Sequence, residues 1–249
     1  MNLPFSVSRT LVVRAQPQTV FSFFRDSERF ASWWGKGSHI ELKPGGAVHI
    51  VYPGGTTAGG AIVSFEPDRS TVFTYGYDDP AKPIARGASL VSITLAAHDE
   101  GTLLTLRHDV ATAPMANQHV AGWRFQLSVF ANVAAAAQHA DAARVIDQFF
   151  VAWNKDDDDE RAYLLKTLTT DNVAFRDSFA AITGRNELAQ HIGAVHMHMP
   201  GLQIARDGDA RHCQGTILVN WTAGDRRGTN VFRLAGDGRI ADVVGFWNA

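Results

Sequence analysis

The sequence predicts an α+β protein of two fused cavity-forming domains, and three observations carry that reading. The chain has 249 residues, 45% hydrophobic and 19% charged. Domains usually run roughly 100–200 residues, so this length accommodates two cores. Short β-like runs with turn signals fill the first half and end in a long alanine-rich helix. After residue 140 the order changes to helices first and strands later. The expected domains are 1–140 and 141–249.

Phe5 to Val13 is β-rich with partial alternation. Pro17 stands where a helix would start, and Val20, Phe21 and Phe24 form an apolar face at helical spacing. Ser27 to Trp34 reads as a second short helix that ends at Gly35. Strand-like runs follow at Ile40–Leu42, Ala47–Tyr52, Ala61–Phe65, Thr71–Tyr75, Leu90–Leu95 and Thr102–His108. Breaks such as Pro44-Gly45-Gly46, Pro67-Asp68 and Asp78-Asp79-Pro80 separate them, the pattern of an antiparallel meander. The glycine pairs Gly45-Gly46, Gly54-Gly55 and Gly59-Gly60 lack the context of a phosphate loop and read as turns. From Ala116 to about Ala140 the texture is alanine-rich, with Trp123, Leu127, Phe130 and Val133 or Ala134 at helical spacing. A helix after a meander packs across the concave face of the sheet.

The second domain opens on an amphipathic helix marked by Val145, Phe149, Phe150 and Trp153. Asp156 to Glu160 reads as a solvated turn, without the ligand spacing of a calcium loop. A short helix through Tyr163, Leu164, Leu165 and Leu168 follows, then a strand over Asn172–Asp177 and a helix over Gly184–Val195. Leu202–Arg206, Thr216–Thr222, Asn230–Leu234 and Ile240–Phe246 are further strands, with Asp237-Gly238 as a hairpin signal between the last two.

Composition excludes several classes. Net charge is −2 and there is no basic block, so nucleic acid is not an expected partner. The single cysteine, Cys213, rules out an internal disulfide and a cysteine-rich zinc site. No stretch approaches 18 uncharged apolar residues, and the N-terminus lacks secretory character. The expectation is a cytoplasmic protein that makes no membrane contact.

The first domain resembles the activator-of-Hsp90-ATPase-like branch of the START/Bet v 1 superfamily across nearly all of residues 1–140. The matching pieces are Pro17-x-x-Val20-Phe21, Ser27-Glu28-Arg29-Phe30-Ala31-Ser32-Trp33-Trp34-Gly35, Leu42-Lys43-Pro44-Gly45-Gly46, the Leu90–Leu95 and Leu103–His108 runs, and Ala121-Gly122-Trp123. The resemblance implies a helix-grip fold, a curved sheet wrapping the long helix around a cavity. Nothing in the chain resembles the separate chaperone-binding region of eukaryotic co-chaperones, so Hsp90 activation is not expected. The second domain is similar to the SnoaL-like group of the nuclear transport factor 2 superfamily. It carries Phe149-Phe150-x-Ala152-Trp153-Asn154, Phe175-Arg176-Asp177-Ser178-Phe179, Gly184-Arg185, Gly228-Thr229-Asn230-Val231-Phe232, Asp237-Gly238-Arg239-Ile240 and Gly245-Phe246-Trp247. That resemblance implies an α+β cone, in a group holding polyketide cyclases, ketosteroid isomerases, dehydratases and non-catalytic proteins.

Asp177 is the expected catalytic residue. The resemblance implies a general base beside a carbonyl, and an apolar cavity disfavours a carboxylate's charge, tuning it for that work. On the same alignment Phe149 replaces an oxyanion-hole tyrosine and Asn230 replaces an acid. An amide can donate to an enolate where a phenyl ring cannot, so Asn230 is one candidate donor, and His198, His196 or His212 is the other. Phe149, Trp153, Phe179, His196, His212, Trp221 and Trp247 are candidate ligand contacts, as are Trp34, Tyr75 and Trp123 in the first domain. His196-x-His198 would share a face if it lay in a strand; no metal and no cofactor is expected. Cys213 and His212, as strand neighbours, would point to opposite faces and form no dyad.

The function expected is cofactor-independent conversion of a small apolar carbonyl compound, of cyclase, isomerase or dehydratase type. The alternatives are a non-catalytic binding or sensing protein and a pure assembly module. The apolar character of both faces of the second sheet, through Leu218, Val219, Trp221, Val231, Val243 and Phe246, predicts a homodimer through that domain.

Overall fold

The computed structural model describes residues 1–248 and divides into two compact units, Met1–Ala137 and from Gln138 onward. Each is described by itself.

The first unit begins with β1 (Phe5–Val13), α1 (Pro17–Arg25) and α2 (Ser27–Trp34). Pro17 occupies the first turn of α1, where its missing N–H costs nothing. The Asp26 side chain accepts from the Arg29 backbone N–H at 2.9 Å and caps α2. Six strands follow: β2 (His39–Ile40), β3 (Ala47–Val51), β4 (Thr57–Glu66), β5 (Ser70–Tyr75), β6 (Ser89–His98) and β7 (Gly101–Val110). The antiparallel sheet runs β1-β7-β6-β5-β4-β3-β2. The 26-residue helix α3 (Ala113–Gln138) supplies Trp123, Leu127, Phe130, Ala131 and Ala134 to the same core as α1, α2 and the sheet.

One reading of the glycines changes. Gly59-Gly60 is not a turn but lies inside β4. A Cβ on Gly59 would stand 2.2 Å from the Val48 carbonyl oxygen, and one on Gly60 would stand 2.0 Å from that of Thr74. Close approach of backbones, not turn geometry, requires glycine here.

The second unit starts with α4 (Ala142–Trp153) and α5 (Asp158–Leu168). The acidic run is the start of α5 rather than a plain turn. Asp157 accepts from the Glu160 N–H at 2.8 Å, and Asp158, Asp159 and Glu160 lie in the first turn, where a helix dipole favours negative charge. Then come β8 (Thr169–Arg176), β9 (Ala181–Thr183), α6 (Arg185–His198), β10 (Ala205–Cys213), β11 (Thr216–Ala223), β12 (Arg226–Leu234) and β13 (Ile240–Trp247). The sheet order is β10-β11-β12-β13-β8-β9, with β13 and β8 parallel. Ile217, Val219, Trp221, Phe232 and Val243 join Phe149 and Phe150 of α4 in the core. The two folds are α+β in class, as the sequence predicts.

The last helix of this unit runs past Val195 and takes in His196 and His198. Positions two apart on a helix diverge by about 200°, so the shared face that a strand would give is absent. Among the described residues no group of three or more His, Cys, Asp or Glu is placed to hold a metal ion. No helix among them is long and apolar enough to cross a membrane.

Candidate functional site

In the second unit, the C-terminal end of α4, one side of α6 and the ends of the sheet enclose a cavity of about 440 Å³. Trp153, Val195, Met199, Leu202 and Ile204 give it apolar walls. Asp177, His191, His198 and Arg226 are its polar members, with Phe179 and Trp247 beside them.

Asp177 follows the last residue of β8. Its Oδ1 accepts from the backbone N–H groups of Phe179 and Ala180, each at 2.8 Å. Its own N–H donates to the Ala180 carbonyl at 2.9 Å. The carboxylate is therefore fixed by the turn it closes. Oδ2 accepts from the Trp247 indole N–H at 3.3 Å. Trp247 meets Phe179 and Trp221 edge to face, at 5.6 and 5.0 Å, and the Arg226 guanidinium lies 5.9 Å from a Trp247 ring centre. Gly245 makes room for the group: a Cβ there would lie 3.2 Å from Asn230 Oδ1 and 3.3 Å from Asp177 Cβ.

The structure brings Asp177, His198, Trp153, Phe179 and Trp247 together. It places Asn230 behind the wall, buried, with Oδ1 accepting from the Trp221 indole at 2.9 Å. Trp221 is a core residue, and Phe149 is fully buried against Phe232. His196 turns from the cavity: its Nε2 meets the Trp153 carbonyl at 2.6 Å and its Nδ1 faces Asp156 at 3.0 Å. His212 sits in β10, where its Nε2 accepts from the Gly215 N–H at 3.0 Å; burial lowers its pKa. These five do not line the cavity because each satisfies a packing or backbone demand elsewhere. Arg226 is a charged lining residue that sequence reasoning missed, as it missed the apolar wall residue Met199. Arg226 lies at the start of β12, paired with Ala223, and no local pattern marks it.

The first unit has its own cavity, of about 350 Å³. Trp34, Tyr75 and Trp123 line it with Tyr52, Tyr77, His119, Gly122 and Gln126. Behind it the Trp123 indole N–H donates to His108 Nδ1 at 3.0 Å. His108 Nε2 then carries the proton and donates to Ser89 Oγ at 2.8 Å, which donates to the Tyr75 carbonyl at 2.7 Å. Burial, then the neighbouring His119, lowers the His108 pKa to about 3. The ring is a neutral structural link between two cavity walls. Phe125 lies at the cavity and is exposed.

Residues 14–135 match the family model for activator of Hsp90 ATPase homolog 1-like proteins. No curated protein matches the chain. Among solved structures, a SnoaL-like family protein from Agrobacterium tumefaciens is 26% identical over 45% of this chain and 99% of its own, with a TM-score of 0.41. An AHSA1-like protein from Rhizobium etli is 30% identical over 54% of this chain and 85% of its own, with a TM-score of 0.43. The Aha1 dimer from Colwellia psychrerythraea is 15% identical over 49% of this chain and 90% of its own, with a TM-score of 0.42.

Proposed function

We propose that the second unit binds a small, mostly apolar carbonyl compound and that Asp177 moves a proton beside its carbonyl group. The observation that carries this reading is a fixed carboxylate on the wall of an apolar cavity. In the proposed step, Asp177 Oδ2 takes a proton from the carbon next to the carbonyl. Negative charge moves to the carbonyl oxygen, where Arg226 or His198 donates to it; Asn230, behind the wall, is not placed to do so. Return of the proton to a different carbon is isomerisation, and attack by the enolate within the same molecule is cyclisation. No cofactor is required for either.

The second reading is a protein that binds without conversion. It is favoured by the engagement of both Asp177 oxygens, with the turn and with Trp247. A pure assembly role fits less well, because side chains leave both cavities open. β-Tetralone, a bicyclic ketone with acidic α-hydrogens, is a suitable probe. Val195→Trp, which narrows the cavity, should abolish binding to the second unit, whereas Asp177→Asn should retain it and slow α-hydrogen exchange. Unchanged exchange in Asp177→Asn would remove Asp177 as the base.

We also propose that the second unit pairs with its copy through the outer face of its sheet. Leu218, Val231 and Val244 form a cross-strand apolar row there, and Phe246 is 54% exposed. Light scattering that finds only monomer at micromolar concentration would refute the dimer.

A further inference from the structure

The edge of the first sheet carries a pair of histidines that neither cavity uses. His39 of β2 and His49 of β3 stand directly opposite each other in antiparallel register. Their ring centres are 5.1 Å apart, with 37° between the ring planes. Ile40 and Val48, the next pair in the register, are buried, so strand alternation turns both imidazoles to the outer face. His39 is exposed and His49 is half-buried. Neither ring is taken up by a hydrogen bond among the described residues.

The surroundings suit a cation. On the other side of His49 the paired residue is Gly59, which has no side chain to crowd the ring. The Arg86 guanidinium lies over that glycine, 2.8 Å from where a Cβ would stand. Its charge is offset by Asp78 at 2.6 Å, and it donates to the Val48 carbonyl at 3.4 Å. Arg86 first, and His49 last, lowers the Asp78 pKa; Lys43 first, and His39 last, lowers that of Glu41. A carboxylate therefore lies within electrostatic reach of each imidazole.

Two neutral imidazoles side by side are ligands for zinc, copper and nickel. Metal–nitrogen bonds of about 2.0–2.1 Å at 90–110° place two nitrogens about 2.9–3.4 Å apart. Turning about the Cβ–Cγ bonds brings nitrogens to that separation from ring centres 5.1 Å apart. The pair supplies two ligands, and water completes the shell. Such an open nitrogen site ranks copper(II) above nickel(II) and zinc(II).

We propose that His39 and His49 form a two-point chelate for a divalent first-row transition-metal ion, copper(II) most tightly, that pins the edge strand β2 to β3. Neither cavity, and no step at Asp177, enters this assignment.

The test titrates the full chain with copper(II), nickel(II) and zinc(II) salts in separate runs. Cys213→Ser is the common background, because the exposed thiol is a competing soft ligand. His39→Gln and His49→Gln are compared in that background. With a chelator present both should unfold at the same urea concentration as their parent, since the two side chains lie outside the core. Electron paramagnetic resonance of the parent with one equivalent of copper(II) should show two nitrogen donors. Each variant should bind copper(II) about tenfold or more weakly and lose that signature. Zinc(II) should raise the urea midpoint of the parent and leave both variants unmoved. Copper(II) affinity unchanged in either variant would overturn the proposal, as would a parent spectrum with a single nitrogen donor.

Discussion

Acid should loosen the first unit through His108. This ring is fully buried and neutral, with a pKa near 3 against an ordinary 6.5. Between those values the unfolded chain binds a proton that the folded one refuses, so stability falls as pH falls. Above pH 6.5 the contribution is intact. Each pH unit below it removes about 1.4 kcal/mol, so a fall to pH 4.5 removes about 2.7 kcal/mol. Loss is complete only near the folded value of about 3. The consequence reaches the cavity, since a protonated ring could no longer accept from Trp123. His108→Gln provides the control, because an amide can accept and donate in the same neighbourhood without titrating. Urea unfolding of both proteins, followed by tryptophan fluorescence at pH 7.0 and 4.5, gives the difference directly. The wild type should lose about 2–3 kcal/mol more than the variant over that interval. Parallel losses would refute the assignment of His108 as a buried neutral base.

Three further substitutions test the packing around the sites. Phe149→Ala should destabilise the second unit by about 3–5 kcal/mol in chemical unfolding, consistent with its core position. Gly228→Ala should destabilise by about 1–3 kcal/mol, since the added Cβ would lie 2.2 Å from the Trp221 ring; a neutral outcome would show that Trp221 is not confined. Arg226→Ala should leave β-tetralone affinity within about threefold while slowing α-hydrogen exchange about tenfold or more, if it stabilises the developing oxyanion.

The first unit was legible where local chemistry and tertiary demand agree. Pro17 marks the start of α1, and the spacing of Trp123, Leu127 and Phe130 marks the buried side of α3. The Gly59-Gly60 pair misleads because its cause is distant: the carbonyls of Val48 and Thr74 approach too closely for any Cβ. In the second unit, β10 carries the polar sequence Ala-Arg-Asp-Gly-Asp-Ala-Arg-His-Cys and lacks an apolar alternation. It forms through pairing with β11, and Arg206 ties it to Asp147 of α4 at 2.8 Å. Helix α6 buries only Leu188 and Ile192, a weak pattern that leaves its C-terminal end unmarked.

The candidate sites were less legible for the same reason. Asp177 is visible because a carboxylate after a strand and before an apolar loop is conspicuous. Arg226 reaches Trp247 only through the register of β12 with β13, where Gly228 pairs with Trp247. Tyr52 reaches Tyr75 across a sheet, between positions 23 residues apart. Neither relation has a short-range signature, while Phe149 and Trp221 have strong aromatic signatures and belong to the core.

Hydrogen exchange at the α-carbon of bound β-tetralone tests the central claim most directly. In heavy water, proton NMR should show deuterium entering the α-positions faster with the wild-type protein than in buffer. Asp177→Asn should lower that acceleration by about a hundredfold or more while β-tetralone still binds. Binding by the wild type with exchange no faster than in buffer would contradict the claim and leave the second unit as a binding domain for this class of ketone.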